Sequence, residues 1–373
     1  MKFTIEKDIL QNVLAKIQGL AGKRTNMAIT TGVLIKADSS GVKLTATDLE
    51  TGYEGLFNAE IEKEGIININ ARKLFEIIRD FPHNSITVEE IEERWIEISN
   101  EKVEYHIVGM EFEDFPTIPK TEEIPMVSIQ ASFLRKMIDQ TIMIHPPQDD
   151  KREHINGVYF ETLKTENEKD FIRFVSTDGK RMTKSDCIFD EPIDIKLDKG
   201  VLIPKKGLAE AVKFIDVEGE VRFGVNQSHA VIEKENEFII IRLLEGEFPE
   251  YKEILNFGDY NVIMMERQLF LMMLKRMSIL NSDNFKGVVF NFNTDQLLIT
   301  VTNPDLGKSK EDMTISYSGD SIKVAFNPRY FIETLNVIDD DYVNLMIKSE
   351  EHPCIINGEI DKDFVSVIMP MRI

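Results

Sequence analysis

The sequence contains very little cysteine, with only Cys187 and Cys354 among its 373 residues. Two distant cysteines cannot supply the disulfide framework of a small secreted protein, so a reducing compartment suits them. No apolar run approaches the roughly 18 residues that a membrane-spanning helix needs, and we expect no membrane partner. The opening residues, MKFTIEKDIL, lack the apolar segment of a signal peptide. We therefore expect a cytoplasmic protein.

Catalytic motifs are scarce as well. The six histidines include no pair at a metal-binding spacing such as HExxH, and the sequence has no G-x-S-x-G, Walker A or G-x-G-x-x-G pattern. Acidic clusters such as residues 216–220 would suit a two-metal nuclease. With 65 acidic residues in the chain, however, such clusters are expected on a solvated surface. We predict no catalytic residue, no metal and no cofactor, and the nuclease is the enzymatic alternative.

What the sequence does contain is one pattern that occurs three times. Each third has a short strand with an amphipathic helix, then a hairpin opened by Gly-Val, then a strand-to-helix unit. These features begin at Lys2, Gly32 and Ile66, at Val127, Gly157 and Val201, and at Asn261, Gly287 and Ile322. We predict an α+β fold of three tandem similar domains, 1–125, 126–256 and 257–373. Each domain should have two helices packed on antiparallel sheets.

The first helix of each third has apolar residues at helical spacing, which predicts that one face of each helix packs on a core. These residues are Ile9, Leu10, Val13, Leu14 and Ile17, then Phe133, Leu134, Met137, Ile138 and Ile142, then Leu269, Phe270, Met273, Leu274 and Met277. The second helices have Ala71, Pro204 and Pro328 just before their first basic residue. Proline is tolerated at a helix start, where the missing N–H costs little.

The net charge of −21 argues against a nucleic-acid partner until its distribution is considered. The six predicted helices are residues 7–24, 71–81, 131–145, 204–214, 265–280 and 327–337. They have a net charge of +9, whereas the rest of the chain has −30. If the helices share one surface, that surface attracts a polyanion through phosphate contacts without sequence readout. The candidate DNA-contacting residues on these helices are Lys23, Arg24, Arg72, Lys73, Arg79, Arg135, Lys136, Lys205, Lys206, Lys275 and Arg276.

Several segments are similar to one protein family over essentially the whole chain. They include ATDLETG at 46–52, INGVYFE at 155–161, STDGKRM at 176–182, GEFPEY at 246–251 and MPMR at 369–372. The sequence resembles the beta subunit of bacterial DNA polymerase III, the sliding clamp family. The resemblance implies a head-to-tail homodimer that forms a six-domain ring around duplex DNA and tethers proteins for processive DNA synthesis.

The resemblance also implies functional residues. Gln148 and Arg24 match loop residues that contact DNA. The dimer interface would involve Lys73, Tyr105, Ile107, Ile279 and Leu280, although the apolar pattern alone favours a core position for Ile279 and Leu280. A pocket for partner peptides would be formed by Arg152, Ile155, Thr177, Gly179, Arg181, Met182, Pro249, Ile254, Asn327, Tyr330, Val367, Ile368, Met369, Pro370, Met371 and Arg372. Glu253 and Lys180 depart from the family, which often has Arg and His at these positions.

The partners implied are duplex DNA, a second copy of the chain, the DNA polymerase III catalytic subunit, the clamp-loader complex, and other replication and repair proteins with a clamp-binding motif. A monomeric three-domain scaffold that binds peptides but not DNA is the non-enzymatic alternative. That scaffold explains the repeats and the MPMR segment, but it leaves the charge of the helices unexplained.

Overall fold

The structure is a computed structural model that describes residues 1–21, 27–82, 84–145, 152–256, 258–282 and 287–372. The chain divides into two compact units. Unit 1 consists of Met1–Arg135, Ile193–Leu197 and Ile203–Leu243, and unit 2 of Lys136–Pro192, Asp198–Leu202 and Leu244–Ile373. Within the described ranges, no helix is both long enough and apolar enough to cross a membrane.

Seven α-helices occur in the described part of the chain. They are α1 (Lys7–Ala21), α2 (Ala71–Arg79), α3 (Ala131–Ile142), α4 (Glu153–Asn156), α5 (Lys205–Phe214), α6 (Arg267–Met277) and α7 (Pro328–Asn336). Short 3-10 helices cover Ala28–Thr31, Lys252–Leu255 and Ser278–Leu280. All six predicted helices are confirmed, and the short α4 was not predicted. The predicted start of α6 is wrong because Met265 and Glu266 are the last residues of a strand.

The strands are numbered in chain order. They are β1 (Lys2–Glu6), β2 (Gly32–Asp38), β3 (Gly41–Thr47), β4 (Thr51–Phe57), β5 (Glu60–Lys63), β6 (Gly65–Asn70), β7 (Ser85–Glu92), β8 (Trp95–Ser99), β9 (Glu104–Val108), β10 (Met126–Gln130), β11 (Gly157–Lys164), β12 (Asp170–Thr177), β13 (Arg181–Ile188), β14 (Val201–Pro204), β15 (Glu220–Val225), β16 (His229–Lys234), β17 (Glu237–Arg242), β18 (Asn261–Glu266), β19 (Val288–Asn293), β20 (Gln296–Asn303), β21 (Gly307–Thr314), β22 (Ile322–Phe326), β23 (Tyr342–Ile347), β24 (Cys354–Gly358) and β25 (Phe364–Ile368).

Unit 1 contains two sheets with antiparallel pairing. One has five strands in the order β5-β1-β7-β8-β9, and the other has eight in the order β10-β15-β16-β17-β4-β3-β2-β6. Helix α1 packs its apolar face on this unit, since Leu10, Leu14 and Ile17 are at most 1% exposed. Asn70 caps α2 by accepting a hydrogen bond from the backbone N–H of Lys73.

Unit 2 also contains two sheets. One has eight strands in the order β14-β11-β12-β13-β25-β24-β23-β18, where β14 belongs to this unit through Val201 and Leu202, and the other has four in the order β21-β20-β19-β22. Phe270 of α6 and Phe331 of α7 lie with their ring centroids 6.1 Å apart in the core of this unit.

Two of the residues predicted to pack in the cores under the first helices are exposed instead. They are Phe133 of α3, which is 58% exposed, and Leu269 of α6, which is 48% exposed.

Candidate peptide pocket, basic helices and strand edges

The C-terminal segment is held at a defined place in unit 2 by backbone hydrogen bonds. Strand β25 pairs antiparallel with β13, so that Ile368 lies opposite Arg181. Beyond β25, the N–H of Met369 donates to the carbonyl of Lys180 at 3.0 Å, and the N–H of Met371 donates to that of Ala325 at 2.8 Å. The side chains of Met369 and Met371 remain 43% and 39% exposed. The segment therefore presents two methionines, which are adaptable apolar contacts, from a fixed backbone.

The turn between β12 and β13 lies directly beside this segment. The Thr177 hydroxyl donates to the carbonyl of Arg181 at 2.8 Å, and one Asp178 oxygen accepts from the N–H groups of Lys180 and Arg181 at 2.9 and 3.0 Å. Gly179 has a φ of +82°, and a Cβ built there meets nothing within 4 Å. The turn is thus fixed by its own hydrogen bonds and leaves open space at Gly179.

The side chain of Arg181 is committed to interactions within the protein. It is only 4% exposed and donates to Asp178 at 3.1 Å and to Glu333 of α7. Its guanidinium carbon lies 4.3 Å from the centroid of the Tyr330 ring, which is cation–π geometry. Burial, followed by the charge of Asp178, raises the pKa of the Tyr330 phenol above its ordinary value. Arg181 therefore links the turn between β12 and β13 to helix α7 through its contacts with Glu333 and Tyr330.

Apolar residues pack next to this network. Met182 and Val367 lie opposite each other on paired strands, are at most 5% exposed, and belong to one cluster with Tyr251. Phe248 packs against the cluster and stacks on Tyr159, with ring centroids 4.8 Å apart. These contacts form an apolar cluster that includes Val367, two residues before Met369.

The predicted pocket residues fall into three groups by exposure. Arg152, Gly179, Pro249, Ile254, Met369, Met371 and Arg372 are exposed. Thr177, Asn327, Tyr330 and Pro370 are partly buried, and Ile155, Arg181, Met182, Val367 and Ile368 are buried. The buried group presents little side-chain surface, so the structure favours a supporting position over a lining position for these residues in the predicted pocket. This assignment of the pocket stays a prediction.

Sequence reasoning missed three residues of this region. Asp178 and Glu333 hold Arg181, and Met346 of β23 packs against the apolar cluster. Asp178 stands inside the recognised STDGKRM segment, so its role in the turn could have been anticipated. Glu333 is 152 residues from Arg181 along the chain, and no local pattern indicates that pairing.

The basic residues of the helices are mostly paired with carboxylates. Arg72 and Lys73 both contact Glu76 on α2, at 3.1 and 2.8 Å. Further pairs are Arg79 with Asp80, Lys136 with Asp361, Lys206 with Asp48, and Arg276 with Glu311. Lys275 is exposed and has no ion pair with any described residue. The positive charge predicted for the helices is thus partly neutralised within the protein.

Two of the predicted DNA-contacting residues are bonded within the protein or buried. Arg135 donates from one guanidinium nitrogen to the carbonyls of Val212 and Ile215, both at 2.9 Å, at the C-terminal end of α5. A cation is favourable at this end of a helix. Lys205 is only 7% exposed. The structure does not favour phosphate contacts by either residue, and Lys23, Arg24 and Gln148 lie outside the described residues.

The residues assigned to the dimer interface occupy sheet edges and an exposed turn. Strand β9 has β8 as its neighbour in the sheet, and Tyr105 and Ile107 lie opposite the buried Ile98 and Ile96. Tyr105 is 41% exposed because the sheet ends at this strand. Ile279 is 74% exposed in the 3-10 helix after α6, so the core position that its apolar pattern favours is wrong. Leu280 is partly buried against the core of unit 2.

One cluster of possible metal ligands occurs among the described residues. Donor atoms of Glu97, Glu104 and His106 lie within 4.8 Å of one another on β8 and β9. Glu104 and His106 are exposed and form an ion pair at 2.6 Å when the imidazole is protonated. A surface ion pair accounts for this arrangement, so the cluster gives no support to the two-metal nuclease.

The chain matches DNA polymerase III beta subunit domains over nearly its whole length: the N-terminal domain at residues 1–119, the central domain at 128–250 and the C-terminal domain at 253–372. The beta sliding clamps of Vibrio cholerae and Chlamydia pneumoniae are 28% and 27% identical to it, covering 100% of this chain and 100% and 99% of theirs.

Solved structures give the same result. A DNA polymerase III beta subunit from Eubacterium rectale superposes with a TM-score of 0.90 at 29% identity, and a sliding clamp from Pseudomonas aeruginosa bound to griselimycin with 0.90 at 26%. Each comparison covers 100% of both chains. Three successive matches to clamp domains, with helices packed on antiparallel sheets, place the chain among the DNA clamps. The chain belongs to the DNA polymerase III beta subunit family, which confirms the predicted sliding-clamp function and the three clamp domains. The exact domain limits stay a prediction.

Proposed function

We propose that this chain closes head to tail into a homodimeric ring of six domains, encircles duplex DNA, and tethers the DNA polymerase III catalytic subunit during synthesis. The clamp loader and other replication and repair proteins are its further partners, and it catalyses no reaction itself. A protein with this role acts on the bacterial chromosome, so its place is the cytoplasm. The observation that carries the proposal is the fixed, exposed Met369–Met371 segment in a chain of the clamp family.

The edges of two sheets support ring closure. Among the described strands, β9 ends one sheet of unit 1 and β21 ends one sheet of unit 2, so each has one side without a described strand as its pairing partner. Pairing β9 of one protomer with β21 of its partner would supply that pairing and repeat at a second, equivalent contact, which closes a ring. Glu104 on β9 and Lys308 with Lys310 on β21 provide opposite charges for this contact.

The apolar residues at these edges support the same contact. Tyr105 and Ile107 continue the buried face of their sheet to its open edge, and Ile279 projects from the other unit. Packing Ile279 against Tyr105 and Ile107 of the partner would bury apolar surface that each protomer alone exposes to water. Lys73 of α2 then serves as a charged residue at the margin of the interface.

The ion pairing of the helices supports weak, sliding contact with DNA. Exposed cations that already have a carboxylate partner bind phosphates only weakly, and contacts to the backbone carry no sequence information. Arg72, Lys73, Arg79, Lys206 and Arg276 keep exposed side chains and, with Lys275, are the described residues that we propose for these contacts. Weak contact suffices because the ring, rather than affinity, retains the DNA.

The pocket is proposed to bind short peptides from the partner proteins. Met369, Met371 and Ile254 supply exposed apolar surface, and Gly179 leaves open space next to Lys180, whose carbonyl accepts from the N–H of Met369. Tethering the polymerase through such a peptide raises its effective concentration at the primer end. Two chains in a ring provide two pockets, which lets partners exchange on one clamp.

Negative-stain electron microscopy of the purified protein at micromolar concentration tests the ring. We expect six-lobed particles with an open centre. Three-lobed particles without a hole would contradict ring closure and favour the monomeric peptide-binding scaffold.

Incubation with radiolabelled duplex and single-stranded DNA in the presence of Mg²⁺ tests the absence of catalysis. Metal-dependent cleavage that copurifies with the protein would favour the nuclease.

A further inference from the structure

The turn at Thr177–Arg181 has a counterpart in unit 1 that shows what is particular to the pocket. The Thr47 hydroxyl donates to the carbonyl of Thr51 at 2.9 Å, and one Asp48 oxygen accepts from the N–H groups of Glu50 and Thr51 at 3.1 and 2.8 Å. The N–H of Arg242 donates to the carbonyl of Glu50 at 2.8 Å. The same bonds occur at Thr177, Asp178 and Met369, so the two turns are built alike.

The side chains around the two turns differ. The first residue of the strand is Thr51 in unit 1 and Arg181 in unit 2. The third residue of the adjacent helix is Gly207 in α5 and Tyr330 in α7. A Cβ at Gly207 would lie 2.4 Å from Ile241, so no side chain fits there. The stack of a guanidinium on an aromatic ring therefore exists at the turn of unit 2 and has no equivalent among the described residues at the turn of unit 1.

The sixth residue of each helix is a glutamate that forms ion pairs. Glu210 of α5 pairs with Lys213 on its own helix at 2.7 Å. Glu333 of α7 contacts Arg181 on β13 and also Arg329 on its own helix, the latter at 2.6 Å. Glu333 is 19% exposed, Arg329 is 70% exposed, and Arg181 is 4% exposed. The pair with Arg181 is thus the buried one, and it links the helix to the strand.

We propose that Glu333 is a positioning residue for the peptide pocket, which holds the Arg181 guanidinium against the Tyr330 ring and so fixes that ring at the pocket edge. This inference rests on the proposed peptide-binding function. Without Glu333, Arg181 keeps Asp178 but leaves donors unpaired in a buried site, where an unpaired polar group is costly. The guanidinium then turns toward water, and the Tyr330 ring loses its stacking partner.

The test measures binding of the DNA polymerase III catalytic subunit to the dimeric clamp by biolayer interferometry. We expect Glu333→Ala to weaken binding by at least about tenfold, and Glu333→Gln to recover part of the loss because its amide oxygen still accepts a hydrogen bond. The matched control is Glu76→Ala, which removes the sixth residue of α2 and its exposed ion pairs. We expect less than about twofold change for the control, as for most surface substitutions.

A double-mutant cycle separates positioning from a general loss of structure. In the Arg181→Met background, Glu333→Ala should cause no further loss of polymerase binding, because the residue that Glu333 positions is absent. Equal losses in both backgrounds, or wild-type binding by Glu333→Ala, overturn the inference. If Met369→Ala with Met371→Ala abolishes binding while Glu333→Ala does not, the pocket stands and the positioning role fails. If neither change weakens binding, the pocket itself is overturned.

Discussion

Replacing Ile279 by Ala tests ring closure most directly. In the protomer Ile279 is 74% exposed, so the substitution should barely affect the stability of the isolated chain. In the proposed ring the same side chain is buried against the partner. The change removes three apolar carbon atoms, each contributing ~0.8 kcal/mol when buried. Scaled by the exposed fraction of 74%, the loss is about 1.8 kcal/mol at each contact.

A head-to-tail ring contains two such contacts, and separating the protomers breaks both. The free energy of dimerisation should therefore become about 3.6 kcal/mol less favourable, which raises the dissociation constant of the dimer a few hundredfold. Sedimentation equilibrium over a dilution series measures this constant. The matched control is Ile360→Ala, because Ile360 is 84% exposed in the same unit and has no place in the proposed interface.

The expected pattern is a much weaker dimer for Ile279→Ala and an unchanged dimer for Ile360→Ala, with similar melting temperatures for both. Equal dissociation constants for the two variants would refute the interface. A large fall in melting temperature for Ile279→Ala alone would mean that Ile279 belongs to the core of the protomer after all.

Met369→Ala combined with Met371→Ala should abolish binding of the polymerase catalytic subunit and leave the dimer intact. The control Met264→Ala should change neither property, since Met264 is also exposed, at 54%, but lies on β18. A broken dimer in the double variant would mean that the Met369–Met371 segment is misassigned. Lys275→Glu should weaken duplex binding in fluorescence anisotropy at low salt, with wild type and variant converging at high salt; equal affinities at low salt would remove Lys275 from the DNA surface. Burial, then the charges of Asp363 and Asp186, raises the pKa of Cys187 to about 11. Its thiol should therefore react slowly with Ellman's reagent at pH 8 and faster as the pH approaches 11, and rapid reaction at pH 8 would contradict that environment.

Periodicity and repetition were enough to predict the architecture from the sequence. The six main helices are present because each has apolar residues that return at helical spacing, as with Leu10, Leu14 and Ile17. The same pattern misplaced Phe133, which has helical spacing but is 58% exposed. Spacing defines a helical face, and only the neighbouring elements decide how wide the buried part of that face is.

The candidate site was less accessible to sequence reasoning, because its decisive contacts are long-range. The pairs of Arg72 and Lys73 with Glu76 follow the helical rule for neighbours three and four residues apart. The contact between Lys206 and Asp48 joins residues far apart in the chain, and nothing local indicates it. Net charge on a helix can therefore be counted from sequence, whereas the charge left free for a ligand cannot.

The difference between the net charge of the helices and the charge that ion pairing leaves free matters for how a strongly acidic protein can hold DNA. A net charge of −21 repels a polyanion at long range, and ion pairing leaves few described helix cations free to offset it. Tight binding through phosphate contacts needs many unpaired cations, and such binding would also resist translocation. A closed ring needs only that the DNA cannot leave sideways. The net negative charge and the paired cations of this chain disfavour tight DNA binding, and they are compatible with a protein that retains DNA by enclosure and moves along it freely.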